Sequence, residues 1–169
     1  NSYTVINNGT VEFISPVKEV ALSYIAQNAQ GGKILAMQVR RGDYLEQDDT
    51  FWNLSEDYYK KALDTIPKDY SKCFIFSDDI PWCKEHFTDP IFHFVQSPTH
   101  WHDMAIMGLC NYFIISASSF GWWGAWLSQS LNKIVVAPDP WFPPTSQYFG
   151  PDVVPIFWNK MEVENGDFL

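Results

Sequence analysis

Met37-Gln38-Val39-Arg40-Arg41-Gly42-Asp43-Tyr44 is the stretch on which the reading of this chain turns. Ile34 to Val39 is a short apolar run that predicts a buried strand. Two adjacent arginines follow it directly, then glycine, aspartate and tyrosine. In an alternating α/β protein the carboxyl ends of the strands are where ligands bind. Arginine there offers planar, always-charged donors that fork onto phosphate oxygens. Gly42 lets backbone turn sharply or come close to a ligand. Asp43 is near enough to brace an arginine or to accept from a sugar hydroxyl. The stretch therefore points to an anionic, phosphate-bearing ligand at the top of this strand. Such a tetrapeptide also serves as an ordinary surface turn in which Asp43 pairs with an arginine, and both readings stand at this level.

Composition narrows the choice. The chain has 169 residues, enough for one domain with a sizeable core. With 46% hydrophobic and 18% charged residues it is globular rather than disordered. A net charge of -9 argues against sequence-independent nucleic-acid binding, which needs a basic surface. Arg40 and Arg41 are the only arginines, so guanidinium is concentrated at one place rather than scattered. Aromatics reach 17%, with 8 Trp, and such rings suit sugar or base stacking as well as cores. Cys73, Cys83 and Cys110 are odd in number and lack metal-ligand spacing. They read as buried, reduced thiols of an intracellular compartment. The tripeptides Asn8-Gly9-Thr10 and Asn53-Leu54-Ser55 are glycosylation sequons of a kind that arises by chance. No apolar run reaches the roughly 18 residues of a membrane span. The chain shows no signal peptide and begins with Asn rather than Met, so it reads as a piece from which an anchor has been removed. The expected location is cytoplasmic, with membrane association of the longer protein.

The pattern along the chain alternates. Tyr3–Ile6 and Val11–Ile14 around Asn7-Asn8-Gly9 suggest a hairpin or linker strand. Ser15-Pro16 reads as an N-cap and first helical proline, and the helix should run to about Ala29, where Gly31-Gly32 stops it. After the arginine loop, 45–54 is a long loop. Ser55 caps a helix over roughly 56–65. Cys73–Phe76 is a second strand, and Ile80-Pro81-Trp82 opens a short helix. Ile91–Val95 is a third strand, and Thr99 or His100 begins a third helix of this series. Tyr112–Ser116 is a fourth strand, 117–121 a turn, Trp122–Gln129 a helix, and Lys133–Ala137 a fifth strand ended by Pro138. The tail reads as mostly loop with a short terminal helix. This order predicts an α/β fold, a mainly parallel sheet with helices on both faces.

Three strand ends carry polar clusters that should meet along one sheet edge: Arg-Arg-Gly-Asp, Ser77-Asp78-Asp79 and Ser116-Ala117-Ser118-Ser119. Either Asp78 or Asp79 caps the next helix, and the other is free to accept from a ribose diol or base edge. Asp103 suits the first turn of a helix or the orientation of a ligand. His100 and His102 stay unassigned. Ser118 and Ser119 precede a helix whose start suits phosphate. Trp122, Trp123 and Trp126 at helical spacing read as core.

The Arg-Arg-Gly-Asp-Tyr loop, the Ser-Asp-Asp turn, the Asp103-Met104 helix and the run from Ile115 to Leu127 (Ile-Ser-Ala-Ser-Ser-Phe-Gly-Trp-Trp-Gly-Ala-Trp-Leu) together resemble glycosyltransferase family 11. These are the α-1,2-fucosyltransferases, which share motifs with α-1,6- and protein O-fucosyltransferases. The resemblance implies a Rossmann-like three-layer domain, one half of a GT-B enzyme: residues 1–14 as linker or remnant of a preceding domain and 15–169 as the GDP-fucose-binding domain. It implies inverting transfer of L-fucose from GDP-fucose to a glycan acceptor with terminal galactose, without an obligatory metal or cofactor. The missing N-terminal half of the same chain is the expected partner, nucleic acid is not, and this chain alone is expected to be inactive. Carried over, Arg40 is the catalytic cation on the diphosphate. Arg41 and Asp43 fix the loop or touch the nucleotide, Asp78 and Asp79 contact the guanosine part, and Asp103 is a donor-site carboxylate. Ser118, Ser119 and Phe120 lie beside the phosphates and guanine, and Tyr44 is left without a role. Two positions depart from the pattern. Gln38 stands where the family has His and keeps only hydrogen bonding, and Ala117 stands in place of Asn. The other readings are a non-catalytic nucleotide- or sugar-binding module, which Gln38 favours, and a glycoside hydrolase, which gives the arginines no role.

Overall fold

The structure is a computed structural model that describes residues 3–7, 10–150, 152–164 and 167–168. A hairpin of β1 (Thr4–Asn7) and β2 (Thr10–Phe13) forms its own two-stranded antiparallel sheet. The predicted turn residues Asn8 and Gly9, with the sequon they begin, lie outside the described residues. Helix α1 (Ser15–Asn28) follows, capped at Ile14 rather than Ser15, so Ser15 and Pro16 both fall inside the first turn. It stops where Gln30, Gly31 and Gly32 take φ of 57, 74 and 90°, which ends α-helical geometry.

The main sheet has six parallel strands: β3 (Lys33–Val39), β4 (Tyr70–Ser77), β5 (Phe92–Phe94), β6 (Tyr112–Ile114), β7 (Ile134–Asp139) and β8 (Asn159–Glu162). Their spatial order is β5-β4-β3-β6-β7-β8. Counted from β3 this is 3-2-1-4-5-6, the doubly wound Rossmann order, and the winding reverses between β3 and β6. The central strands are apolar on both faces because both faces are covered. From Ile34 to Val39 every residue of β3 is buried.

Register assigns the faces. Ala36 and Gln38 of β3 stand beside Phe74 and Phe76 of β4, and Ala36 also beside Phe113 of β6. Successive side chains alternate, so these point to one side. Tyr24 of α1 meets Phe74 edge-on at 6.1 Å on that side. Helix α4 (His100–Met107) packs with α1 there and α5 (Ser119–Leu127) packs with α4, and a β-carbon on Gly121 of α5 would lie 3.1 Å from Ile115. On the opposite side are α2 (Glu56–Thr65) and α3 (Ile80–His86), joined where Tyr59 meets Phe87 edge-to-face.

Four expectations need correction. The tail holds a sixth strand, β8, and no helix among the described residues; its polar, mostly exposed Asn-Lys-Met-Glu carries no strand pattern, and pairing with β7 makes it one. Pro138 lies within β7 instead of ending it, because β6 pairs only as far as Val136 and Pro138 faces β8 alone. Helix α5 begins three residues early, taking in Ser119, Phe120 and Gly121. Of its tryptophans only Trp122 packs against the core: Trp123 and Trp126 are 46% and 43% exposed, since the small residues Gly121, Gly124 and Ala125 form the buried stripe. Among the described residues no helix is long and apolar enough to cross a membrane.

Candidate functional site

The carboxyl ends of β3, β4 and β6 converge where the winding reverses. At β6 the chain leaves the ladder after Ile114, and Ser116 takes over the pairing with β3. Its Oγ donates to Gln38 O (2.9 Å) and accepts from Arg40 N (2.9 Å), while Tyr59, fully buried on α2, adds its hydroxyl at 2.7 Å. Gln38 Oε1 accepts from Ser116 N at 3.2 Å, which settles which end of the amide is which. A buried seam of hydrogen bonds thus locks the arginine loop to the start of the Ser-Ala-Ser-Ser turn.

The two arginines part company. Arg41 is buried: its guanidinium stacks on Trp82 at 4.0 Å and its Nε reaches Asp79 at 3.2 Å. It anchors the loop, and its Nη1 meets no partner among the described residues. Arg40 is the accessible one, with a third of its side chain exposed. Its Nη1 lies 3.0 Å from Asp78 Oδ2, its Nη2 pairs with Asp43, and its guanidinium stands 5.1 Å from the centre of the Tyr44 ring. The adjacent aspartates also divide their work. Asp79 caps α3, accepting from Trp82 N at 3.1 Å, whereas Asp78 accepts from Arg41 N at 2.9 Å and holds Arg40. Gly42 makes this approach feasible, since a β-carbon there would collide with Asp78 Oδ2. From Gly42 to Glu46 the loop is a 3-10 turn rather than irregular chain.

Gln38, Arg40, Asp78, Asp103 and Phe120 line one cleft of ≈ 170 Å³ together with Phe76, Ser77 and His100. Asp103 reaches it from the first turn of α4, and Phe120 from the first turn of α5. Asp103 Oδ1 is buried with no hydrogen-bond partner among the described residues. Burial pushes its carboxyl above the ordinary range, and the Ser97 hydroxyl and the imidazoles of His100 and His102 pull it back. An unsatisfied buried acceptor is costly, and here it belongs to a residue that lines a cavity. The remaining expected residues fall outside this cleft. Asp43 is on the exposed side of Arg40. Ser118 is buried at the N-cap of α5, with its carbonyl accepting from Trp122 N. Ser119 and Tyr44 line a neighbouring, wider cleft of ≈ 520 Å³. Burial raises the Tyr44 phenol, which donates to Ala117 O at 3.1 Å.

Ser77 belongs to the expected Ser-Asp-Asp cluster, whereas Phe76 and His100 are lining residues that the sequence left without a role. The signal for Phe76 was position, since it directly precedes the Ser-Asp-Asp turn. His100 is three residues before Asp103 at the same helix start. The second cleft, with Phe51, Trp141 and Phe142 in its wall, had no signal beyond aromatic content. Among the described residues no group of three or more His, Cys, Asp or Glu is arranged to hold a metal ion.

Fold and site together define a doubly wound α/β domain with a cation, buried acceptors and a helix start gathered at the switch point. The chain belongs to glycosyl transferase family 11, whose family model matches residues 10–149. It is 35% identical over 119 residues to an alpha-1,2-colitosyltransferase of Escherichia coli, covering 64% of this chain and 41% of that one. It is 30% identical over 128 residues to the galactoside 2-alpha-L-fucosyltransferase Sec1 of Mus musculus, covering 66% and 34%. The chain thus spans well under half the length of these relatives. Its fold resembles POFUT1 solved in complex with GDP, with a TM-score of 0.56 at 14% identity over 75% of this chain and 48% of that one. It also resembles the fucosyltransferase NodZ from Bradyrhizobium, with a TM-score of 0.51 at 15% identity over 69% and 43%.

Proposed function

We propose that this chain is the donor-binding domain of an inverting α-1,2-fucosyltransferase, which moves L-fucose from GDP-fucose to a galactoside of a glycan. Residues 15–169 are the GDP-fucose-binding half of a GT-B pair, 1–14 lead in from the other half, and that half completes the enzyme. The observation that carries the reading is the cleft at the switch point, where Arg40, the accessible member of the chain's only arginine pair, and Asp103, one of whose oxygens has no partner among the described residues, line the same cavity. A nucleoside diphosphate matches both ends. Its phosphates take the guanidinium, and a guanine, which presents adjacent N–H donors, takes the carboxylate. The relatives named above as an α-1,2-colitosyltransferase and a galactoside 2-α-L-fucosyltransferase support the linkage, and the latter the acceptor.

In this reading the acceptor hydroxyl attacks the anomeric carbon of fucose while the bond from that carbon to the diphosphate oxygen breaks on the opposite face, and the hydroxyl proton leaves to solvent or to a base on the other half of the enzyme. Charge gathers on the departing GDP. Arg40, held in place by Asp78 and Asp43, and the first amides of α5 stabilise it there, in the role a metal takes elsewhere. Gln38, with Oε1 committed to Ser116 N, turns its amide nitrogen to the cleft as a neutral donor. Arg41 and Asp79 act on the loop and not on the ligand.

Calorimetric titration with GDP tests this. Binding should be insensitive to chelator and weakened by about 1.5–3 kcal/mol in Arg40→Ala, the scale of a charged hydrogen bond. A folded chain that takes no GDP overturns the reading. Binding of sugar without GDP would favour a sugar-binding module instead.

A further inference from the structure

The wider cleft beside the arginine loop lies outside the cleft proposed above for the nucleotide. We propose that it is a subsite for a neutral pyranose ring of the acceptor glycan, seated on this half of the enzyme. The inference rests on the donor-binding reading above and adds where the acceptor lies. Six rings wall the cleft: Tyr44, Phe51, Trp122, Trp123, Trp141 and Phe142. No acidic or basic side chain lines it, so it does not suit a phosphate or carboxylate. At ≈ 520 Å³ it is within the size of small-ligand sites, which are largely apolar with a few polar groups. The polar group here is the Ser119 hydroxyl at its edge.

The walls are held in place. Tyr44 and Phe51 stack at 4.3 Å with 12° between their planes, and the Tyr44 hydroxyl is tied to Ala117 O. Trp122 Nε1 donates to Val153 O at 2.9 Å, which holds that ring in place. Trp123, by contrast, is nearly half exposed despite its size. Flat, fixed rings with a hydroxyl at the rim suit the C–H face of a sugar, while little ordering is needed on binding. A lipid tail would instead call for an aliphatic wall, and Val153 and Ala117 are the aliphatic residues present. The cleft also adjoins the nucleotide cleft. Tyr44 lines it while its ring lies under Arg40, and Ser119 opens the helix whose next residue, Phe120, lines the other side. A ring seated there is at the diphosphate end of the donor, where an acceptor of fucosyl transfer must be.

Saturation-transfer NMR of this chain with methyl β-galactopyranoside, in the presence of GDP, tests the subsite. The wild-type chain should transfer saturation to the galactoside. Trp123→Ala and Phe142→Ala should each weaken galactoside binding by about tenfold, the upper end for loss of one stacked ring, with GDP affinity unchanged by calorimetry. Trp123 is exposed enough for its replacement to leave the fold intact, which thermal melting checks. GDP binding without galactoside binding overturns the subsite but leaves the donor reading standing. So does galactoside binding that both variants leave unchanged. Loss of GDP binding in the folded wild type would overturn the donor reading itself.

Discussion

Asp103 keeps a carboxylate oxygen buried without a donor, and stability is what it gives up by doing so. Burial raises its pKa above the ordinary 3.8, so the folded state holds the proton more tightly than the unfolded state. That contribution favours folding below the unfolded value and is lost as pH rises through the folded one, leaving a penalty at neutral pH. Asp103→Asn should therefore raise the melting temperature at pH 7, by about 2–4 °C if the penalty is near 1 kcal/mol. The gain should vanish in melts below the carboxylate range, while GDP affinity falls. A variant less stable at pH 7 would show that the carboxylate is structural. At the same scale the arginine pair was legible in the sequence as a cluster, but its division of labour was not. Which arginine is buried depends on Trp82, which is over forty residues away and reaches Arg41 through the β3–β4 pairing.

Helix α5 rests on the sheet by leaving out side chains. A β-carbon on Gly121 would lie 2.7 Å from Gln38 Oε1, and one on Gly124 would press into Met107 of α4. Gly121→Ala should cost about 1–3 kcal/mol in chemical denaturation, the usual scale of overpacking. Much of that should return in the double variant with Gln38→Ser, because the clash is with one shared group. Additive losses would place the clash at Ile115 instead. The Ser-Ala-Ser-Ser turn was visible in the sequence as a polar cluster at a strand end. Trp123 and Trp126 at helical spacing misled, though Trp122 does pack on the core, because spacing reports that residues share a face and not whether the face is covered. Gly121, Gly124 and Ala125 had already taken the inner face. The early start of α5 was missed for a related reason: Ser119 and Phe120 resemble a turn until the cap at Ser118 is seen.

Across the molecule, Cys73, Cys83 and Cys110 are all buried and free. Burial pushes the Cys83 thiol up to about 11 and raises Cys73 and Cys110 further. A thiol reagent at pH 8 should leave the native chain unlabelled and modify three sites once it is denatured, read by mass spectrometry. Rapid labelling of the native chain would contradict the burial. The alternation of apolar runs with helical segments was enough to set the class of fold, since a buried parallel strand must be continuously apolar and its crossover must supply a helix. The Arg-Arg-Gly-Asp loop and the polar ends of β4 and β6 likewise declared where a ligand would sit, because parallel strands deliver their carboxyl ends to one edge. Those properties are local or periodic, and the sequence by itself determined them. The strand order, the edge strand β8, the orphaned oxygen of Asp103 and the aromatic cleft were decided only by the tertiary structure. Each depends on which distant segments become neighbours: β8 is a strand because β7 offers it an edge, and the cleft exists because Tyr44 and Phe51 meet Trp123 and Phe142 from far along the chain.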